Sequence, residues 1–288
     1  MASAAVSTRQ RARSGADLWA LLAIPGILIL GAFFLLPLVL MALRSVTDPS
    51  PANYLVLTSS SIYVRVLVNT FVVAGCCTVI CLLLGYPYAY AMHRAGPKLA
   101  AVLTIAIVLP FWSSALVRSY AWLVLLRENG VINGWLLSAH LIATPFRILR
   151  TNTAVIIGMC HILLPFMVFP IYAAMRRIDP TLLPAAAVLG ANPFRAMRKV
   201  FVPLSLPGVY AGSLIVFIVA LGFFVVPALL GGPRSMMFSE LIVTTVYELL
   251  EFGQGAAMAI VLVASALMAL AVASRFVRLG DALNYGSR

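Results

Sequence analysis

Acidic side chains are scarce in this chain: eight Asp and Glu stand against 20 Lys and Arg in 288 residues, a net charge of +12. All eight (Asp17, Asp48, Glu128, Asp179, Glu240, Glu248, Glu251 and Asp281) fall in loops or flanks. No carboxylate is therefore placed to couple ion movement from inside a membrane span. Lysine is rarer still. Lys98 and Lys199 are the only two, and neither closes a G-x-x-x-x-G-K-[ST] phosphate loop. No nucleophile, base and orienting acid follow one another as in a hydrolase motif, and His93, His140 and His161 are scattered. Cys76, Cys77, Cys81 and Cys160 sit in apolar runs, without the paired spacing or neighbouring histidines of a zinc site. They read as small apolar packing residues, and the sequence assigns no metal and no disulfide framework.

What the chain has in abundance is apolar surface. It is 63% hydrophobic and 10% charged, with a mean hydropathy of +1.06, far above the apolar share of a soluble domain. No polar-mixed stretch is long enough for a separate soluble core. The pI of 10.1 comes from short basic groups beside apolar runs rather than from one basic face, which argues for membrane lipid and against nucleic acid as the surrounding partner.

A bilayer core about 30 Å thick takes roughly 20 apolar residues as a helix. Six runs qualify, at 18–43, 66–92, 99–126, 153–175, 209–230 and 256–273. The chain is thus expected to be an all-α membrane protein with six transmembrane helices. Its parts are an N-terminal tail over 1–17, a six-span domain over 18–278 and a C-terminal tail over 279–288. Most Lys and Arg gather on one side, at the termini, around Arg94 and Lys98, and between spans four and five at Arg176, Arg177, Arg195, Arg198 and Lys199. Positive residues stay inside, so both termini are expected in the cytoplasm.

The loop over 176–207 is the longest on that side. Its alanine-rich stretch from Leu182 to Val188, with Pro180 and Pro184 suited to a first turn, predicts a short helix ending at Gly190. Ala191, Asn192 and Pro193 make a turn. A second helix over 194–202 carries Arg195, Arg198 and Lys199 on one stripe and Phe194, Met197 and Phe201 on another. The expectation is a helix, a turn and a helix lying on the membrane surface. From physics alone a basic loop that merely orients the protein serves equally well.

The order Ala185, Ala186, two residues, Leu189, Gly190, Ala191, then Phe194, Pro203, Leu204, Pro207 and Gly208 resembles the EAA loop of ABC importer permeases. Pro184 stands where that family usually has Glu. Further stretches are similar to the spermidine and putrescine branch: Asn69 and Thr70, LGYPYA at 84–89, LPFWSSALVRSYAWLVLLRENG at 109–130 and GFFVVPALLGG at 222–232. Together they cover roughly residues 60 to 280.

The resemblance implies a type I ABC importer permease in a bacterial inner membrane, working by alternating access. Its coupling loop, Pro184 to Ala186 and Leu189 to Phe194, would dock on a cytoplasmic ATPase dimer. It further implies a second homologous permease, an extracytoplasmic substrate-binding protein, and no cofactor on this chain, ATP and Mg belonging to the ATPase. The solute would be a polyamine, although relatives carry opines and amino-acid-like compounds. A self-sufficient channel or secondary carrier is the rival class. It lacks support in an intramembrane carboxylate or a repeat between the halves.

With no buried carboxylate, an amine would meet aromatic faces and carbonyls, and Trp112, Tyr120, Trp122, Phe223 and Phe224 are candidates for cation–π contact. Each also fits an interfacial anchor. Arg118 has two readings, a residue of the path or a side chain reaching the headgroups. Glu240, Glu248 and Glu251 form an outer acidic cluster, with Glu248 and Glu251 expected on one helical face; an ordinary solvated face is the other reading. Gly208 and Gly212 read as a helix-packing pair.

Overall fold

The computed structural model describes residues 3–285; side chains are described over 23–272 and at Arg275. The basic side chains of the two termini, Arg9, Arg11, Arg13, Arg278 and Arg288, lie outside the described side chains. The helices run α1 (Ser3–Thr47), α2 (Asn53–Ser59), α3 (Ser61–Arg94), α4 (Pro97–Val108), α5 (Ala115–Leu126), α6 (Val131–Ser138), α7 (Asn152–Arg176), α8 (Leu182–Val188), α9 (Pro193–Ala196), α10 (Val202–Leu221), α11 (Val225–Leu230), α12 (Phe238–Tyr247) and α13 (Phe252–Tyr285). Among the described residues there is no strand.

The core is the mutual packing of α3, α7 and α10. Between α3 and α7 the contacts keep one offset of 83 residues: Asn69 pairs with Asn152, and Cys77 with Cys160. A constant offset means parallel helices in register. Helix α10 is antiparallel to both. Gly208 approaches Ala174 while Gly212 approaches Met167, and Tyr86 meets Ser205 while Phe71 meets Phe217.

Parallel α3 and α7 require the chain between them to cross the membrane once. That crossing is a broken span. Pro97–Trp112 and Ala115–Ser138 meet at 96°, so the single straight helix expected over 99–126 is corrected. The break follows from local chemistry. Pro110 lies in a turn of 3₁₀ helix, Leu109–Trp112, and Ser113 Oγ donates to the Pro110 carbonyl at 2.8 Å. Ser114 then caps α5, accepting from Val117 N at 3.1 Å. Five further helices, Ala23–Thr47, Ser61–Arg94, Asn152–Arg176, Pro193–Leu221 and Phe252–Val272, are long and apolar enough to span.

Two other expectations change. The second helix of the loop over 176–207 is not a separate helix lying on the membrane surface. From Pro193 it runs through a π-turn over Met197–Phe201 into α10, as one 29-residue helix. It continues because Phe201 is buried, with ring centroids 5.4 Å from both Tyr90 and His93. That span ends at Leu221, and the backbone breaks over 222–224 before α11. Glu248 and Glu251 do not share a helical face: α12 stops at Tyr247, and Leu250 turns the chain with φ +59°.

Candidate functional site

The hairpin between α7 and α10 is built from short-range signals. Asp179 accepts from Thr181 N at 2.9 Å and from Thr181 Oγ1 at 2.7 Å. Those bonds, the hydroxyl's first, hold its carboxyl below the usual range. Helix α8 follows. Gly190 ends it with φ +84°, a left-handed conformation that costs other residues, and Ala191 N closes the turn on the Ala186 carbonyl at 3.0 Å. Asn192 Oδ1 then accepts from Arg195 N at 2.7 Å, with Pro193 in the first turn.

The tip of this hairpin is apolar and uncovered: Val188 is 89% exposed, Leu189 87% and Phe194 74%. Pro184, Ala185, Asn192 and Pro193 are also exposed, and Ala186 and Ala191 half-buried. Arg195, Arg198 and Lys199, also exposed, follow the tip in sequence.

The second feature lies in the membrane, at the two helix breaks. Helices α5 and α11, which follow the breaks at Ser113–Ser114 and 222–224, pack on each other and on α7. Arg118, one turn into α5, holds its guanidinium carbon 5.4 Å from the centre of the Phe111 ring. Its Nε and Nη1 are buried without a hydrogen-bond partner. Phe111 also meets Phe166 edge-on at 5.5 Å, and Trp122 Nε1 donates to His161 Nδ1 at 3.1 Å.

Of the aromatic candidates, Trp122 therefore joins the Arg118 cluster. Trp112 and Tyr120 are exposed. Phe223 and Phe224 form the second break, where the Phe223 carbonyl accepts from Ser239 Oγ at 2.6 Å. Glu240 sits half-buried in the first turn of α12 with Oε2 unpartnered, whereas Glu248 and Glu251 are exposed beyond that helix. Phe111, His161 and Phe166 were missed from sequence. They lie on two helices far apart in the chain, and nothing in the linear pattern links them.

Two polar side chains in the third turn of α3 hold the segment that leads into α12. Asn69 Nδ2 donates to the Met236 carbonyl at 3.0 Å, and Thr70 Oγ1 accepts from Phe238 N at 2.8 Å. These bonds tether the segment between α11 and α12 to the start of α3.

No family model matches the chain. Over 201 residues, 70% of this chain and 73% of the relative, it is 37% identical to the spermidine/putrescine transport system permease protein PotB of Escherichia coli K12. The chain belongs to the PotB family of ABC transporter permeases.

The PotB of Haemophilus influenzae is 42% identical over 181 residues, which span 63% of each chain. Among solved structures, a bacterial alginate ABC transporter, crystallised with an alginate pentasaccharide-bound periplasmic protein, superposes with a TM-score of 0.72 at 18% identity. The match covers 93% of this chain and 96% of that one. At that identity the likeness is one of fold, and it extends the family's architecture over nearly the whole permease.

Proposed function

We propose that this permease carries a polyamine such as spermidine or putrescine into the cytoplasm, as the transmembrane subunit of an ATP-driven importer in a bacterial inner membrane. Both termini face the cytoplasm. The observation that carries the reading is the uncovered apolar tip at Val188, Leu189 and Phe194, held rigid by the Gly190 turn. An exposed apolar knob on a short helix suits a groove on another protein. A cytoplasmic ABC ATPase dimer, which holds the ATP and Mg, is the partner that gives the knob a purpose. Pro184 leaves α8 without the usual carboxylate, so docking rests on apolar contact.

The path runs past the two breaks. Broken helices leave carbonyls free to face a cavity, and carbonyls with the faces of Trp122, Phe223 and Phe224 suit an alkylammonium. Arg118 repels such a solute. A second homologous permease packs across the path, and the guanidinium, whose Nε and Nη1 this chain itself encloses, stays against Phe111. An extracytoplasmic binding protein delivers the amine to the outer mouth, near Glu240, Glu248 and Glu251.

The test is purification of the chain from its native membrane, identification of what accompanies it, and reconstitution of that assembly in liposomes. ATP-dependent uptake of labelled spermidine, lost when Leu189 is replaced by Asp, is the expected result. A chain that purifies alone and admits amines without ATP overturns the reading.

A further inference from the structure

Three cysteines that are distant or unremarkable in the sequence meet inside the membrane core. Cys77 and Cys81 stand one helical turn apart on the same face of α3, and the register of 83 residues brings Cys160 of α7 opposite them. The three Sγ atoms all lie within 4.8 Å of one another. Cys160 Sγ is 3.4 Å from Cys77 Sγ. Cys77 and Cys81 are fully buried and Cys160 is 7% exposed. In place of partners with matched hydrogen-bonding strength, the thiols make weak contacts. Cys81 Sγ points at the Cys160 carbonyl at 3.8 Å, and Cys160 Sγ at that of Cys77 at 3.7 Å.

We infer that Cys77, Cys81 and Cys160 form a binding site for one soft monovalent metal ion, Cu(I), between α3 and α7. Soft thiolate and thioether-type sulfur select Cu(I) over harder ions. A metal–sulfur bond of about 2.3 Å in a trigonal site sets the sulfur edges at about 4 Å, within the spread of the three atoms, so small χ1 adjustments close the site.

Charge decides between ions. A buried site in apolar surroundings favours a neutral complex. Cu(I) reaches neutrality by replacing one thiol proton, which leaves to water, while the other two sulfurs bind as neutral thiols. No electron is transferred. A zinc ion needs two protons displaced and a fourth ligand, and only three sulfurs converge. Cys76, next in sequence, is exposed and takes no part.

The bound ion clamps two parallel core helices together. Since α7 leads directly into the cytoplasmic hairpin, the clamp sits on the element that connects the membrane core to the docking tip.

The experiment uses the full-length chain in detergent, titrated anaerobically with Cu(I) from its bicinchoninate complex. One ion per chain is expected to survive desalting, with X-ray absorption giving a shell of three sulfur atoms. Cys76→Ser retains that stoichiometry; Cys81→Ala and Cys160→Ala each lower affinity by at least tenfold. Cu(I) also raises the thermal midpoint of the wild type and of Cys76→Ser, but not of Cys81→Ala. If Cys160→Ala fails to fold, the wild-type stoichiometry and the Cys81→Ala comparison still decide. No retained copper, a nitrogen or oxygen shell, or undiminished binding in Cys81→Ala overturns the inference.

Discussion

Asn152 Nδ2 donates to Asn69 Oδ1 at 2.7 Å, joining the first residue of α7 to the third turn of the parallel helix α3. Asn69 passes the tie onward through its own amide to the Met236 carbonyl. Interhelical hydrogen bonds in membranes contribute roughly 0.6 kcal/mol on average and rarely more than about 1.7. Asn152→Ala is expected to destabilise by about 1 kcal/mol. Asn69→Ala, which breaks both bonds, should cost more, as read from unfolding midpoints in detergent. Equal effects would mean that the Met236 bond contributes nothing.

Gly208 packs where a Cβ would fall 2.6 Å from both the Pro170 carbonyl and Ala174 Cβ. The obstruction is partly backbone, so the helices must separate to admit a side chain. Gly208→Leu is expected to cost about 3 kcal/mol or more and to reduce folded yield sharply. Gly75→Ala on α3, with nothing within 4 Å, serves as the contrast and should be neutral or slightly stabilising.

Gly190→Val tests whether coupling and assembly can be separated at this turn. A β-branched residue there costs about 1–2 kcal/mol through its left-handed conformation. Gly190→Val is therefore expected to fold and to copurify with partners while uptake per ATP hydrolysed falls several-fold. Unchanged coupled uptake would remove the turn from the mechanism.

The bend in the third span depends on its cap. Ser114→Ala removes the acceptor for Val117 N and should cost about 1 kcal/mol. Ser114→Asp is expected to retain the break. The measurement is a pair of spin labels on α4 and α5, whose distance reports the bend.

Arg118→Met tests what the guanidinium does. If a second permease packs beside it, copurification of that subunit drops while the fold holds. Arg118→Lys, which keeps the charge but not the planar fork, should restore only part of it. A variant that assembles normally and loses uptake alone would assign Arg118 to the path.

The helix α8, its end at Gly190 and the turn at Asn192 and Pro193 were legible because each depends on neighbours in sequence. Hydropathy located all six crossings, yet it measures avoidance of water and not continuity of hydrogen bonds. For that reason the break at Ser113–Ser114 passed as helix although Pro110 and the paired serines stood in view. The continuation of Pro193–Leu221 as one helix was hidden for another reason: it rests on Phe201 packing between Tyr90 and His93, a tertiary event. The Arg118, Trp122 and His161 cluster and the three thiols needed the pairing of α3, α5 and α7, which no spacing within one segment encodes.

The unbroken helix Pro193–Leu221 has 29 residues, about 43 Å at 1.5 Å per residue. Its tightest contacts with α7, at Gly208 and Gly212, fall near its midpoint. Phe201 against Tyr90 and His93 and Phe217 against Phe71 hold it on either side of that point, so one continuous helix ties the position of Phe194 to that of the break at Phe223 and Phe224.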